Sequence, residues 1–283
     1  MHLFTTVAEL RAWRKAQRVP DKRVGLVPTM GSLHEGHLAL VDEARRRSDT
    51  VLLTIFVNPL QFGPGEDFER YPRQLDRDVE LARARGVDAV FAPPVSEMYR
   101  PGAEIRVVPG PTADRWEGAA RPGHFTGVLT VVAKLFHLAE PDVACFGQKD
   151  IQQVVLVRQM VRDLDWPIEL AVVPTVREPD GLALSSRNVY LSETERRHAR
   201  GLSAALFEAE RLWQEGERDA ARLEAAMRAT LAVYPEVAVE YICVAEPEGL
   251  RPVDTAEPGT VVAIAARVGG TRLIDNVVLV ARP

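Results

Sequence analysis

The chain has 283 residues, a formal net charge of -5 and an ordinary share of apolar side chains, which frames a globular protein of one large or two moderate domains. No basic stripe stands out, so general nucleic-acid binding is excluded. No apolar run is long enough to cross a bilayer, and Glu9 and Arg11 interrupt any signal-peptide core.

Val24-Gly25-Leu26-Val27 reads as a strand, Pro28 to His37 as a tight turn, and Leu38 to Arg47 as an amphipathic helix. Val51 to Val57 is a near-continuous apolar run, as in a strand buried on both faces. Phe68 to Arg85 reads as mostly helix, ended by Gly86. Val87 to Ala92 is a short strand, Thr126 to Leu138 a buried helix, Val143 to Phe146 a strand, Ile151 to Asp163 a helix and Ile168 to Val173 a strand. The alternation predicts right-handed βαβ units and a parallel sheet, with ligands at the carboxyl ends of the strands. After Pro174 the pattern changes. Ser192 to Gln214 and Arg218 to Ala232 read as helices, the first opened by a Ser192–Glu195 capping box. Val237 to Val244, Thr260 to Val268 and Thr271 to Val280 read as strands, with Gly269-Gly270 as a hairpin signal. A hinge is expected near Thr175. Cys145 and Cys243 match no metal or redox spacing, as expected of reduced, buried thiols in a cytoplasmic protein.

The segment Met30-Gly31-Ser32-Leu33-His34-Glu35-Gly36-His37 carries the clearest chemistry. Two imidazoles three residues apart share one face of a first helical turn, and a helix N-terminus offers N–H groups to an anion. Leu38 stands where a His-Glu-x-x-His zinc motif needs its second histidine, and no third metal ligand has an obvious spacing. A polyphosphate nucleotide fits this pair better than a packed core does. Gly147-Gln148-Lys149-Asp150 leaves a strand end and carries one of only four lysines, Lys15, Lys22, Lys134 and Lys149. A solvated turn also fits it in isolation. Leu184-Ser185-Ser186-Arg187 offers hydroxyls and a planar guanidinium for phosphate oxygens, or is an inert Ser-rich loop. Asn58 and Gln61 can orient a polar ligand without acid–base chemistry, or simply build a turn around Pro59. Arg121 and His124, at a Gly-rich helix entry, suit an anion or a plain helix start. No P-loop and no Gly-x-Gly-x-x-Gly turn is present.

Together these motifs resemble a known family. His34-Glu35-Gly36-His37 resembles the His-x-Gly-His motif of the nucleotidyltransferase superfamily, and Leu184 to Arg187 resembles its mobile phosphate-binding signature. With Pro28 to Gly31, Phe56 to Pro59, Arg121 to Phe125, Gly147 to Asp150 and Ser185 to Asn188, the chain is similar to the pantothenate synthetase, or pantoate–β-alanine ligase, family over nearly its whole length. The resemblance implies an α/β fold, a Rossmann-like parallel sheet flanked by helices and then a smaller α+β domain with an antiparallel hairpin. Residues 1–175 would bind ATP and pantoate, and 176–283 would form a lid. It implies condensation of pantoate with β-alanine through a pantoyl adenylate, with release of AMP and pyrophosphate. His34, His37, Lys149 and Arg187 would be catalytic. ATP would contact Met30 to His37, Gly147 to Asp150, Val176 and Leu184 to Arg187, with Met30 and Val176 acting largely through backbone. Gln61 and Gln153 would hold pantoate and β-alanine, with Asn58, Arg121 and His124 as additional contacts. Magnesium would come with the nucleotide, without a fixed protein metal site. A cytoplasmic homodimer, free of nucleic acid and membrane, is implied. The loop from Gly181 to Arg187 would be mobile alone and ordered with ATP. Two alternatives stay open: a transferase of AMP to another acid or phosphate ester, and a nucleotide sensor without turnover.

Overall fold

A computed structural model describes residues 1–281. In chain order the elements are β1 (His2–Phe4), α1 (Val7–Ala16), β2 (Val24–Thr29), α2 (Glu35–Arg47), β3 (Thr50–Ile55), α3 (Leu75–Ala84), β4 (Ala89–Phe91), α4 (Val95–Met98), α5 (Trp116–Ala120), α6 (His124–Ala139), β5 (Val143–Gly147), α7 (Ile151–Asp163), β6 (Glu169–Val173), α8 (Glu193–Gln214), α9 (Ala220–Leu231), β7 (Val237–Ala245), β8 (Val261–Val268) and β9 (Thr271–Val278).

The first six strands form one parallel sheet in the order β1-β4-β3-β2-β5-β6. The apolar runs of β2, β3 and β5 follow from burial on both faces. Strand residues alternate sides, so Leu26 and Leu52 pack with α1 and α6, while Val27, Val51 and Leu53 pack with Leu40, Val41 and Ala44 of α2. The chain runs from β2 to β3 on one side, while β5 lies against β2 on the other. The carboxyl ends of β2 and β5 therefore flank a switch in strand order, where α/β sheets bind ligands.

The last three strands form a separate antiparallel sheet, β7-β8-β9. One face, with Ile242, Val262, Ile264 and Val277, packs under Leu206, Trp213, Leu223 and Met227 of α8 and α9. The other face, with Cys243, Val261 and Ala263, packs on Val155 of α7 and on Trp116. Both cysteines are buried and free. No helix among the described residues is long and apolar enough to cross a membrane.

Two departures from the sequence reading have physical causes. Helix is absent from 68 to 74; α3 starts at Leu75. Pro72 disfavours helix at the residue before it, and Arg73 donates to the carbonyls of Phe68, Glu69 and Tyr71, holding a turn instead. The elements β1, α1, α4 and α5 are additional to those read from the sequence. The strand has only three residues, but α1 carries a full capping box, Thr6 with Glu9.

Candidate active site

The carboxyl ends of β3, β2, β5 and β6 deliver the motif segments to one cavity of about 220 Å³. It is lined by Met30, Gly36 and both histidines after β2, Gln61 after β3, Gly147, Lys149, Asp150 and Gln153 after β5, and Val176 with Leu184 to Arg187 after β6. Arg121, just after α5, and His124, at the start of α6, close it. A larger cavity, about 600 Å³, adjoins it and shares Lys149, Gln153 and Arg187, with β7–β9 as its far wall.

The turn into α2 is built around a buried carboxylate that the sequence reading missed. Asp78, on α3 and 1% exposed, accepts the N–H groups of Ser32 and Leu33, each at 2.8 Å. Gly31 and Ser32 both take left-handed backbone, φ 80° and 52°. A Cβ on Gly31 would lie 2.9 Å from the Asp78 carboxylate and from Ile55, so only glycine fits this close approach.

His34 caps α2, its Nδ1 accepting the Gly36 N–H at 3.1 Å, and His37 Nδ1 accepts the His34 N–H at 3.3 Å. A backbone N–H can only donate, so both Nδ1 atoms are unprotonated and each neutral ring presents Nε2–H as its donor. The rings stand 4.1 Å apart. Burial, then the Lys149 charge, pushes His34 down to about 4. Burial, then His34 and Lys149, pushes His37 down to about 3. The pair therefore offers neutral donors near pH 7, not cations. The expectation of free N–H groups at this helix start is corrected: those of Ser32, Leu33, His34 and Gly36 are taken within the turn. A Cβ on Gly36 would meet the His34 ring at 2.9 Å, so glycine lets the ring fold back as a cap.

Lys149 projects from a 3-10 turn, with Asp150 Oδ1 4.0 Å from its Nζ. Gln153 lines the cavity one turn on. The Gln61 side chain and carbonyl are held at four points: Oε1 accepts from Asn58 at 3.0 Å, Nε2 donates to Met30 Sδ at 3.1 Å, and the carbonyl accepts from His124 Nδ1 at 2.8 Å and from Arg121 at 3.1 Å. His124 Nε2 then accepts from Arg121, 3.2 Å away, which fixes the tautomer. Burial, then Arg121, pushes its pKa down to about 4. Arg121 also pairs with Glu66 at 2.6 Å.

Several candidates lie off the cavity wall. Leu33 is a core side chain, 1% exposed, and Glu35 points out to Arg85. Asn58, also 1% exposed, spends its amide on Gln61, Gly127 O, Tyr99 and the Leu60 N–H, so it shapes the turn. The Gln148 amide faces Asn276 of β9.

The Ser-Ser-Arg segment ends a short hairpin in which Leu184 N–H donates to Val176 O and Glu178 N–H to Leu182 O. It is docked on the first sheet's loops: Ser186 Oγ donates to Ser32 O at 3.2 Å, and Arg187 grips Asp67 through Nε and Nη2, each at 2.9 Å, over the Tyr71 ring. Burial alone would raise the Asp67 carboxyl, but Arg187 outweighs it and holds the pKa below the ordinary value. Besides Asp78, the sequence reading missed Asp67 and Tyr71, whose partners are more than a hundred residues away. It also missed Thr175, a cavity residue whose buried hydroxyl has no partner among the described residues.

Fold and site together define an α/β protein with a phosphate-suited cavity at the carboxyl ends of a parallel sheet. The pantoate-beta-alanine ligase family model matches residues 2–278, and the chain belongs to that family. Among relatives, a pantothenate synthetase of Moorella thermoacetica is 51% identical over 279 residues, covering 99% of each chain. One from a Roseiflexus species is 53% identical over 279 residues, with the same coverage. The crystal structure of a Thermus thermophilus pantothenate synthetase superposes with a TM-score of 0.94 at 50% identity, covering 99% of this chain and 100% of that one. A Francisella tularensis pantoate-beta-alanine ligase, solved with beta-gamma ATP and beta-alanine, gives a TM-score of 0.81 at 32% identity, covering 98% and 97%.

Proposed function

We propose that this cavity joins pantoate to β-alanine at the expense of ATP, in two steps. The pantoate carboxylate attacks the α-phosphorus of ATP, giving pantoyl adenylate and pyrophosphate. The β-alanine amine then attacks the activated carbonyl, giving pantothenate and AMP. The observation that carries the reading is the convergence of two neutral Nε2–H donors, Lys149 and Arg187 on one cavity that also holds two amides, Gln61 and Gln153.

The first step brings an anion to a polyanion. Lys149 offsets the charge, Arg187 adds to that offset once the phosphates draw its guanidinium from Asp67, and the His34 and His37 rings donate to phosphate oxygens without gaining a proton. The enzyme then works by positioning and charge stabilisation, with no protein nucleophile. Gln61 orients pantoate, because Asn58, Arg121 and His124 fix its backbone and side chain. The Gln153 side chain has no hydrogen-bond partner among the described residues, so its amide is available to substrate. Phe56, Val128 and Val131 form an apolar wall suited to the gem-dimethyl group of pantoate. Val176 and Met30 border the nucleotide.

No group of three or more His, Cys, Asp or Glu among the described residues is placed to hold a metal ion. Asp78 is turned to backbone N–H groups. A fixed metal cage does not fit, and magnesium is assigned to the ATP phosphates as part of the substrate. Residues 1–175 are taken as the binding domain and 176–283 as a lid; each has a core of its own, and a third cluster around Val155 and Cys243 joins them. A cytoplasmic homodimer fits the free, buried cysteines and the exposed apolar Ile105 and Val108, 88% and 75% accessible. Sedimentation as a monomer at micromolar concentration would contradict the dimer.

With ATP, pantoate and β-alanine supplied, pantothenate, AMP and pyrophosphate should appear in equal amounts. Release of ADP and phosphate, or nucleotide binding with no turnover, would overturn this reading in favour of another transfer chemistry or a sensor.

A further inference from the structure

The small sheet reaches back into the catalytic loop through one buried side chain. Asn276, on β9 and 1% exposed, donates both hydrogens of its Nδ2 to consecutive carbonyls, Gln148 O and Lys149 O, each at 2.9 Å. The Gln148 amide closes the ring by donating to Asn276 Oδ1 at 3.3 Å. Asp275, on the opposite face of the strand as the pleat requires, receives Arg177 from the base of the Ser-Ser-Arg hairpin at 2.6 and 3.0 Å.

The turn carrying Lys149 has little else to fix it. Neither the 3-10 turn Gln148–Asp150 nor the start of α7 has a side-chain cap of its own. Gly147, just before it, has open space where a Cβ would be. A lysine is a point charge on a flexible stem, so its reach into the cavity depends on where the backbone places its Cα.

We propose that Asn276 is a positioning residue for Lys149: its amide sets the turn from which Nζ meets the phosphates. The small sheet thus contributes to adenylate formation although Asn276 itself does not line the smaller cavity. The inference rests on the reading of Lys149 as the phosphate-facing cation. A purely structural role, holding the two sheets together, is the rival.

A double-mutant cycle separates the two, because residues acting through one another are non-additive. The readout is exchange of labelled pyrophosphate into ATP at saturating ATP and pantoate, with the intact chain. Asn276→Ala should slow exchange about tenfold, below the roughly hundredfold ceiling of a 1 Å misplacement, with little change in the KM for ATP. In a Lys149→Ala background the same substitution should cost almost nothing further. If Asn276→Ala does not fold, Asn276→Leu keeps the shape, removes both donors and carries the same cycle. A wild-type rate in a folded Asn276 variant, or the same fold loss with and without Lys149, would overturn the positioning role. Lys149→Ala exchanging at the wild-type rate would instead overturn the reading of Lys149, and the proposal with it.

Discussion

Replacing Lys149 by alanine is expected to slow adenylate formation by at least about a hundredfold, the scale for losing one preorganised transition-state donor. Lys149 faces the cavity with only Asp150, 4.0 Å from its Nζ, as a side-chain partner among the described residues. The charge it offers is therefore free to act where negative charge gathers on the phosphates. His37→Ala should fall in the same range, since the ring's Nε2–H is its one uncommitted donor. Gln61→Ala should behave differently. Its amide is neutral and already held by Asn58, so its loss chiefly raises the pantoate concentration needed and spares kcat. Because burial pushes both histidines far below the ordinary value of about 6.5, neither ring should give the rate an inflection near that pH. Single-turnover measurement of adenylate formation across pH, for the three variants, checks all of this. Equal and small effects from all three would mean the site is misplaced.

The second large effect is on stability. Arg177→Ala should destabilise the fold by about 3–5 kcal/mol, the usual cost of stranding one partner of a buried ion pair. Asp275 is 3% exposed, and Arg177 also donates to Gly181 O and Asn276 O and lies over the Phe207 ring, 4.9 Å from its centroid. Burial already pushes the Asp275 carboxyl above its ordinary value, with Arg177 opposing. Without the guanidinium the carboxyl rises further, so the folded variant holds a proton that the unfolded chain releases above about pH 4. The stability gap to wild type should therefore widen as pH rises from there and narrow towards it. Urea unfolding at pH 7 and near pH 4 tests the sign; a gap that is small, or unchanged with pH, would contradict it. The same variant loosens the base of the proposed lid. In wild type, hydrogen exchange across residues 178 to 190 should slow with a non-hydrolysable ATP analogue, because a ligand shifts an equilibrium only through contacts that differ between states. Equal protection with and without saturating analogue would leave a preformed, static loop.

Much of the architecture was legible because burial on both faces leaves continuous apolar runs, as at Val51 to Leu53, and because helix ends carry their own signals, as at Ser192 with Glu195. The short β1 leaves no periodicity to read, and Arg73 turns a helical pattern into a carbonyl-bound turn. In the site, residue types and strand ends located the two histidines, Lys149, Gln61 and the Ser-Ser-Arg hairpin. What stayed hidden was long-range. Asp78 looks like any acidic residue on a charged helix until the fold places it under Ser32 and Leu33. Asn276 sits in a strand pattern more than a hundred residues from the turn it grips. Asn58 reads as a substrate contact in sequence because its burial depends on α6 and Tyr99, which local sequence does not reveal.

The central claim is that an enzyme-bound adenylate forms before the amine arrives. Labelled pyrophosphate, incubated with the protein, ATP and pantoate in the strict absence of β-alanine, should enter ATP, because adenylate formation runs backwards on the enzyme. Exchange that appears only when β-alanine is added would contradict the two-step account.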